Sequence, residues 1–480
     1  MNHDITLVTV SLGYRGKGVS RVERYVPLGV LYLTAVLEQA GFRVDFRDFQ
    51  LGACKEHSDT DSSYRIFPSG GSIVEDFIAF LETSAPVLGI GCMSDLLPLT
   101  LLAVRQLKEC CPDKVVILGG IGPGGVAEEL MAAFPFVDIV ARREGEETMV
   151  ELMAGLREKG DLRSVRGIGF RYGGEVYHTS SRQWIGQVDG IPFPAYHRLD
   201  FSRYSVPGIL TSRGCPFGCT FCDVSPFWGR HNRARSLENV MAEIRLLRER
   251  YGRRYIELVD DTFTLDKERV LAFCRRLKAE LPDVSWSCCG RIDCVDEEML
   301  QAMADSGCRL IAYGIESGSD RVLKQLNKGF STPQISEALS LSRRYFNDVL
   351  AYFIWGFPFE TMADFRETID FISRALDAGV QPWLFSLSPL PLSEIYRQNR
   401  EGLQFSPEFC SNYLGIFAGE PEIVELIKAH PRVFPGFYTC DPQFARKYAA
   451  ARQMELLGVP VIHRIKPVSP SPAAQRISHE

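Results

Sequence analysis

The sequence predicts an α/β chain with two parallel sheets, a doubly wound unit over residues 1–150 and a partial eightfold barrel, (β/α)6, over residues 208–390. Strand-like and helical stretches alternate from the first residues, which implies parallel strands joined by crossover helices. The alternation resumes at Gly208 and counts to six units, two short of the eightfold barrel. The loops that follow these strands carry glycines in the first unit and cysteines in the second. That is the end of a parallel sheet at which ligands bind.

At 480 residues there is room for two or three domains, and 45% apolar with 24% charged residues is ordinary for a soluble globular protein. A net charge of −6, from 54 basic and 60 acidic residues, argues against a nucleic-acid or anionic-membrane surface. The longest strongly apolar run, Val349–Phe359, is too short to cross a bilayer, so no transmembrane segment is expected. The 14 cysteines are scattered, with adjacent pairs at Cys110-Cys111 and Cys288-Cys289, unlike the framework of a small secreted scaffold. Met1-Asn2-His3-Asp4 leads into a strand and not into a signal peptide. A reducing cytoplasm is the expected location.

In the first unit, β-branched and apolar Ile5–Leu12 reads as a strand. Pro27–Ala40 reads as a buried helix with Pro near its first position and Gly41 closing it. Val44–Phe49, Val87–Met93, Val115–Gly119 and Asp138–Ala141 read as further strands, with helices at Leu101–Cys110, Val126–Phe134 and Glu144–Leu156. Residues 151–207 read as a connector containing a hairpin, Val165–Tyr172 and Glu175–Thr179 around Gly173-Gly174, and a proline-bearing linker at 190–194. His178 and His197 lie in it and read as surface residues. The six barrel strands are expected at Gly208–Ser212, Tyr255–Asp260, Ser285–Arg291, Arg309–Ile315, Val349–Trp355 and Trp383–Leu387. Between the first two, Ser236 reads as the cap of a helix whose Leu237, Val240, Ile244 and Leu247 share one face. Residues 391–466 read as a small, mostly helical C-terminal cap over the barrel mouth, with aromatics at Phe405, Phe409, Tyr413, Phe434, Phe437 and Tyr438. These could line an apolar substrate or simply pack. The Pro/Ser-rich tail 467–480 reads as disordered.

The chemistry concentrates in Thr-Ser-Arg-Gly-Cys-Pro-Phe-Gly-Cys-Thr-Phe-Cys-Asp, residues 211–223. Cys215, Cys219 and Cys222 form CxxxCxxC, and no fourth cysteine follows nearby. Three thiolates this close hold three corners of a compact iron–sulfur cluster and leave one iron open. Gly214 and Gly218 suit a tight loop whose backbone approaches a cluster. A structural zinc site with His231 as fourth ligand is the alternative, although such sites favour paired ligand units.

This triplet, with Phe221 before its last cysteine, resembles the signature of the radical S-adenosylmethionine (SAM) enzymes. The resemblance implies a [4Fe–4S] cluster on Cys215, Cys219 and Cys222, with SAM on the open iron. It further implies reductive cleavage of SAM to a 5′-deoxyadenosyl radical, and an oxygen-sensitive protein fed electrons by a flavodoxin or ferredoxin. Asp260-Asp261-Thr262-Phe263 stands where the family places its contact to the methionine amino group, or else caps the next helix. Arg291 is placed to pair with the methionine carboxylate or to form a surface ion pair. Gly314-Ile315-Glu316-Ser317-Gly318 resembles the ribose-contacting segment, and Gly356-Phe357-Pro358-Phe359-Glu360-Thr361 resembles the GFPGET turn with Phe359 in place of glycine. Phe221, Asp260, Asp261, Arg291, Glu316 and Ser317 are therefore the expected SAM contacts.

The first unit, with Ser94-Asp95-Leu96 after its third strand and Gly119-Gly120-Ile121-Gly122 after its fourth, resembles the Rossmann-like B12-binding domain. Pro27-Leu28-Gly29 and Arg143-Glu144-Gly145-Glu146-Glu147-Thr148 look like the version fused to radical SAM proteins. Ser94, Leu96, Gly119, Gly120 and Gly122 are the contacts to cobalamin that this resemblance implies. The loop 11–25 contains no histidine to ligate cobalt. The expected activity is cobalamin-dependent methyl transfer to an unactivated carbon of a small-molecule or lipid-like substrate. The alternatives are radical cyclisation, ring contraction or carbon–carbon coupling without methyl transfer, and a non-catalytic cobalamin or cluster carrier.

Overall fold

In the computed structural model, which describes residues 3–10, 24–52, 72–204, 206–405, 417, 420–456, 459 and 461–462, the strand Ile5–Val10 (β1) is buried along its whole length. Burial on both faces is what a parallel strand between two helical layers shows, and its two threonines, Thr6 and Thr9, are buried with the rest. Around it run Val44–Asp48 (β2), Val87–Cys92 (β3), Val115–Gly119 (β4) and Ile139–Ala141 (β5), all parallel, in the order β2-β1-β3-β4-β5. Leu28–Gln39 (α1) follows β1 and is closed by Gly41 at φ +83°. The other crossovers are Ile73–Glu82 (α2), Leu97–Cys110 (α3), Ala127–Ala133 (α4) and Glu146–Glu158 (α5). Helix α2 had no counterpart in the sequence reading.

The hairpin assigned to the connector belongs to this sheet. Ile168–Tyr172 (β6) pairs antiparallel with β5, and Glu175–His178 (β7) pairs with β6 around Gly173-Gly174, both at positive φ. Ile168 and Phe170 bury their side chains beside Ile117 and Ile139. The hairpin thereby covers an edge that would otherwise be open. His178 and His197 are exposed.

The second sheet runs in chain order: Gly208–Ile209 (β8), Tyr255–Leu258 (β9), Ser285–Gly290 (β10), Cys308–Glu316 (β11), Asp348–Trp355 (β12) and Gln381–Ser386 (β13). All neighbours are parallel, so the sheet is an open barrel of six βα units, as expected. Its helices are Leu237–Tyr251 (α6), Lys267–Glu280 (α7), Glu297–Asp305 (α8), Thr332–Tyr345 (α9) and Met362–Asp377 (α10). Ser236 caps α6 by accepting the Asn239 N–H at 3.2 Å.

The C-terminal residues that the structure describes divide between the two units, and the Ile395 N–H donates to the Thr220 carbonyl of the cysteine loop at 2.9 Å, with Ile395 and Cys440 packed against Phe357. Pro421–Ala429 (α11) packs on the first unit, where Phe417, Ile423, Phe434, Phe437 and Tyr438 join the core that includes Leu97 and Leu101. Phe444–Leu456 (α12) buries Phe444, Ala451 and Met454 in the barrel core, and Val461–Ile462 (β14) adds a seventh parallel strand beside β13. Burying large rings removes apolar surface from water, and the Tyr438 hydroxyl is satisfied there by donating to the Ile427 carbonyl at 2.8 Å. The expectations for Phe409, Tyr413 and the tail 467–480 lie outside the described residues. Among the described residues no helix is long and apolar enough to cross a membrane.

Candidate active site

The loop after β8 is shaped by two glycine-dependent contacts and several clamps. Gly214 has φ +88°, and a Cβ there would stand 2.4 Å from the His231 carbonyl, so no other residue fits. Asn327 donates to the Gly218 carbonyl at 3.0 Å, Thr220 N–H to Leu326 at 3.2 Å, and Ser225 Oγ to the carbonyls of Cys215 and Phe217 at 2.9 and 2.7 Å. Cys215, Cys219 and Cys222 are all half-buried on this loop. Thr262 Oγ1 lies 3.7 Å from Cys215 Sγ, the Val224 N–H donates to Cys222 Sγ at 3.4 Å, and Arg291 Nη1 stands 3.9 Å from Cys219 Sγ. Burial pushes the Cys215 thiol up and that of Cys222 up to about 12, so the thiolates need a cation to form.

Among the described residues no three histidine, cysteine or carboxylate side chains converge closely enough to hold a single metal ion. Zinc requires its ligands within about 2.0–2.3 Å of one centre. His231 turns its ring edge-on to Trp184 at 5.8 Å. Three thiols on one loop suit a cluster, which takes one thiolate per iron.

The expected SAM contacts divide. Asp260 is buried and accepts from Thr211 N–H at 3.2 Å, Thr211 Oγ1 at 3.0 Å and Ser212 Oγ at 2.6 Å, bracing the strand that leads into the cysteine loop. It does not cap the next helix, whose first turn is capped by Asp266. Asp261 is exposed at the end of β9, yet crowding by protein and by Asp260 raises its carboxyl to about 6. The two-toothed grip expected of Arg291 on a ligand carboxylate is spent on Asp293, at 2.9 and 3.0 Å, and its guanidinium covers Phe217 at 3.6 Å. A cation buried in protein needs a permanent counter-charge, and Asp293 is two residues away. Ser317 is likewise committed, to Thr368 Oγ1 at 3.0 Å and the Ser319 N–H at 3.1 Å. Glu316, at φ +70°, is buried and paired with Lys328 at 3.1 Å. Phe221 is half-buried, edge-on to Phe357 at 6.2 Å, with the Lys328 ammonium 5.8 Å from its ring centre.

In the first unit, β3 and β4 end side by side, with Gly91 opposite Gly119. Gly120 has φ +94°, and a Cβ there would lie 2.8 Å from the Cys92 carbonyl oxygen; one on Gly122 would lie 2.6 Å from Met93. These glycines let the two loops rest on each other and leave a flat backbone floor. Met93 is 58% exposed at its edge, Ser94 is half-buried, and Leu96 is buried beneath it in the core. Asp95 keeps a buried oxygen Oδ1 without a partner, and burial raises its carboxyl to about 6. A floor without projecting side chains fits a broad, flat ring system.

What sequence reasoning missed is how the two units join. Arg213, two residues before Cys215, donates to Glu144 at 2.8 Å and Glu146 at 2.6 Å, all three buried, and half-buried Arg233 reaches Glu144 at 2.8 Å. The Ile185 N–H also donates to Glu144 at 2.8 Å. The acidic Arg143–Thr148 stretch was visible as a motif, but nothing local paired it with Arg213. A second buried group joins Lys447 of α12 to Glu360 at 3.0 Å and Asp441 at 2.8 Å, behind the Gly356–Thr361 turn.

Two family models match the chain: the radical SAM superfamily over residues 209–372 and the B12 binding domain over residues 15–153. An uncharacterized methyltransferase of Pyrococcus horikoshii, PH0819, is 36% identical over 264 residues, 54% of this chain and 58% of that protein. The chain thus spans less than two thirds of that relative's length. The anaerobic magnesium-protoporphyrin IX monomethyl ester cyclase of Synechocystis is 27% identical over 362 residues, 74% of this chain and 68% of that protein. The solved structure of the radical SAM methyltransferase TsrM from Kitasatospora setae, with cobalamin and a [4Fe–4S] cluster bound, superposes with a TM-score of 0.66 at 18% identity. That match covers 86% of this chain and 81% of that one, and it shows a shared fold.

Proposed function

Given that the chain belongs to the radical SAM superfamily and carries a B12 binding domain ahead of it, we propose that it is a cobalamin-dependent methyltransferase acting on an unactivated carbon of a small-molecule substrate. The observation that carries the reading is the buried Arg213–Glu144–Glu146 contact, which fixes the cysteine loop against the first sheet. Two cofactor sites held rigidly together suit a reaction that uses both. The methyltransferase named among the relatives supports the same reading.

When bound, the cluster supplies one electron to SAM and cobalamin supplies the methyl group. Cys215, Cys219 and Cys222 would hold the cluster, with Arg291 pressing the loop into place through Phe217 and Cys219. Asp261 would accept the methionine ammonium, a charge-assisted bond. Glu316 would accept ribose hydroxyls, its left-handed backbone held by Lys328. Asp260 and Ser317 would position those segments and not touch SAM, since their oxygens already serve Thr211, Ser212 and Thr368. Phe221 would flank the site. Gly119, Gly120 and Gly122, with Ser94 beside them and Leu96 beneath, would form the floor under the corrin. On this reading residues 1–150 with the hairpin 168–178 make the cobalamin unit, and 208–390 with β14 make the barrel. An electron donor of the flavodoxin or ferredoxin type completes the system.

A second reading, radical cyclisation or coupling without methyl transfer, is favoured by the similarity to the Synechocystis cyclase. One experiment separates them: metal analysis after anaerobic purification from cobalamin-fed cells, with 5′-deoxyadenosine measured after adding SAM and reductant. About four irons and one cobalt per chain, with 5′-deoxyadenosine formed, is the expected result. Iron and 5′-deoxyadenosine without cobalt would move the assignment to the second reading. Zinc without iron, reproduced after cluster reconstitution, would sink both.

A further inference from the structure

Lys447 lies on α12, beyond the six βα units of the barrel, and its side chain is fully buried. An ammonium has three protons to place. Here they meet the Glu360 carbonyl at 2.7 Å, Glu360 Oε2 at 3.0 Å and Asp441 Oδ2 at 2.8 Å. Two of those three acceptors belong to one residue, near the end of the Gly356–Thr361 turn that follows β12. Glu360 Oε2 also accepts the Gly356 N–H at 2.9 Å, and the Glu360 N–H donates to the Phe357 carbonyl at 3.0 Å. Lys447 thus holds the turn near its end through a carbonyl, and at its start through one carboxylate. Gly356 permits this closure: its backbone is left-handed at φ +92°, and a Cβ there would stand 3.3 Å from the Phe444 ring of α12.

The turn presents Phe357 to the cysteine loop. That ring is fully buried and meets Phe221, which lies between Cys219 and Cys222, edge-on at 6.2 Å. Leu326, Ile395 and Cys440 share the same apolar cluster. Two of them also bond to the residue after Cys219: the Leu326 carbonyl accepts the Thr220 N–H at 3.2 Å, and the Ile395 N–H donates to the Thr220 carbonyl at 2.9 Å. Ile395, Cys440 and Lys447, all from the C-terminal segment, therefore converge behind the cysteine loop. A buried ammonium is a weak source of net stability, because desolvation offsets much of its attraction to the carboxylates. Its use lies in the geometry that it fixes.

We infer that the C-terminal segment is part of the cluster site and that Lys447 is its positioning residue. By closing the Gly356–Thr361 turn, Lys447 holds Phe357 against Phe221 and orders Cys219 and Cys222 before a cluster is present. The inference rests on the reading of Cys215, Cys219 and Cys222 as cluster ligands, but the ordering of the loop is a property of the apoprotein. Groups that orient metal ligands at one remove change metal retention by about 10–100-fold.

The test uses the full-length chain in two forms. In the reconstituted form, iron release to bathophenanthroline disulfonate is followed under anaerobic conditions. Lys447→Met and Phe357→Leu should each release iron about tenfold faster than the wild type. The double variant should be no faster than the worse single one, because both changes act through one contact. Met454→Ala is the control for stability alone: it truncates a buried side chain two turns along the same helix without touching the turn, and should release iron as the wild type does. In the apoprotein, iodoacetamide should alkylate Cys219 and Cys222 faster in Lys447→Met than in the wild type or Met454→Ala, read by mass spectrometry of the loop peptide. Wild-type rates of release and alkylation in Lys447→Met would overturn the proposal. So would equal acceleration in a Met454→Ala protein of the same melting midpoint, which would reduce Lys447 to a general stabiliser. A wild type that takes up no iron would overturn the cluster reading instead, and the alkylation rates would still decide whether Lys447 orders the loop.

Discussion

Arg213→Met tests whether the first sheet and the cysteine loop are held together by the buried ion group. The substitution keeps most of the side-chain length and removes the fork. Glu144 keeps Arg233, at 2.8 Å, and the Ile185 N–H, at 2.8 Å, so it stays satisfied. Glu146 loses the 2.6 Å partner recorded for it and remains buried. Removing one member of a buried pair costs ~3–5 kcal/mol, because the other charge is left uncompensated. Glu146 also lies in the first turn of α5, where the helix dipole returns ~0.3–1 kcal/mol to a carboxylate. The net expectation is a loss of about 3 kcal/mol, and at ~2 °C per kcal/mol for a large domain the melting midpoint should fall by roughly 6 °C. The assay is thermal unfolding by circular dichroism, with iron content measured after reconstitution. Glu147→Gln is the control: its pair with Arg182 is half-exposed, and it should change stability by less than ~0.5 kcal/mol. Arg213→Met combined with Glu146→Gln should recover part of the loss. A midpoint for Arg213→Met within ~1 °C of the wild type would refute the reasoning, since it would mean that no buried charge was left unpaired.

Four further outcomes are expected. Cys219→Ser should drop iron from about four per chain to near background while the apoprotein keeps its secondary structure by circular dichroism, because a cluster lacking one of its three protein ligands is not retained. Asp95 is held up to about 6 by burial, above the ~3.9 of an unfolded chain, so the native state binds more protons between these values. Its contribution is present below pH 4 and is lost as pH rises through 6, on the order of 1–3 kcal/mol; Asp95→Asn should abolish that fall and raise the urea midpoint at pH 7.5. Met93→Glu puts a charge at the edge of the glycine floor and should lower retained cobalt, read by metal analysis, at unchanged iron. Lys447→Met strands the buried Glu360 and Asp441 and should cost ~3–5 kcal/mol in urea unfolding.

The fold was legible because its signal is local. Ile5–Val10 reads as a strand from six consecutive residues, and Ser236 reads as a cap from its own neighbours. The cysteine loop was legible for the same reason, since the left-handed backbone of Gly214 and the spacing of three thiols are written within a dozen residues. Side chains whose role depends on a distant partner were not. Nothing local announces that Asp260 braces Thr211 and Ser212, 49 and 48 residues earlier. Arg213 and Glu144 are 69 residues apart, and no periodicity links them. For the C-terminal aromatics both readings stayed open, because a half-buried lining and a buried core have one composition. Only burial separates Phe385, half-buried on β13, from Phe434, closed in a core. The same distinction tells where specificity can reside. A buried residue held by a partner, as Arg291 is held by Asp293, has part of its hydrogen-bonding fixed before any ligand arrives. Exposed positions outside such pairs, as Met93 is at the edge of the glycine floor, are where substitutions should change what the protein accepts without changing whether it folds.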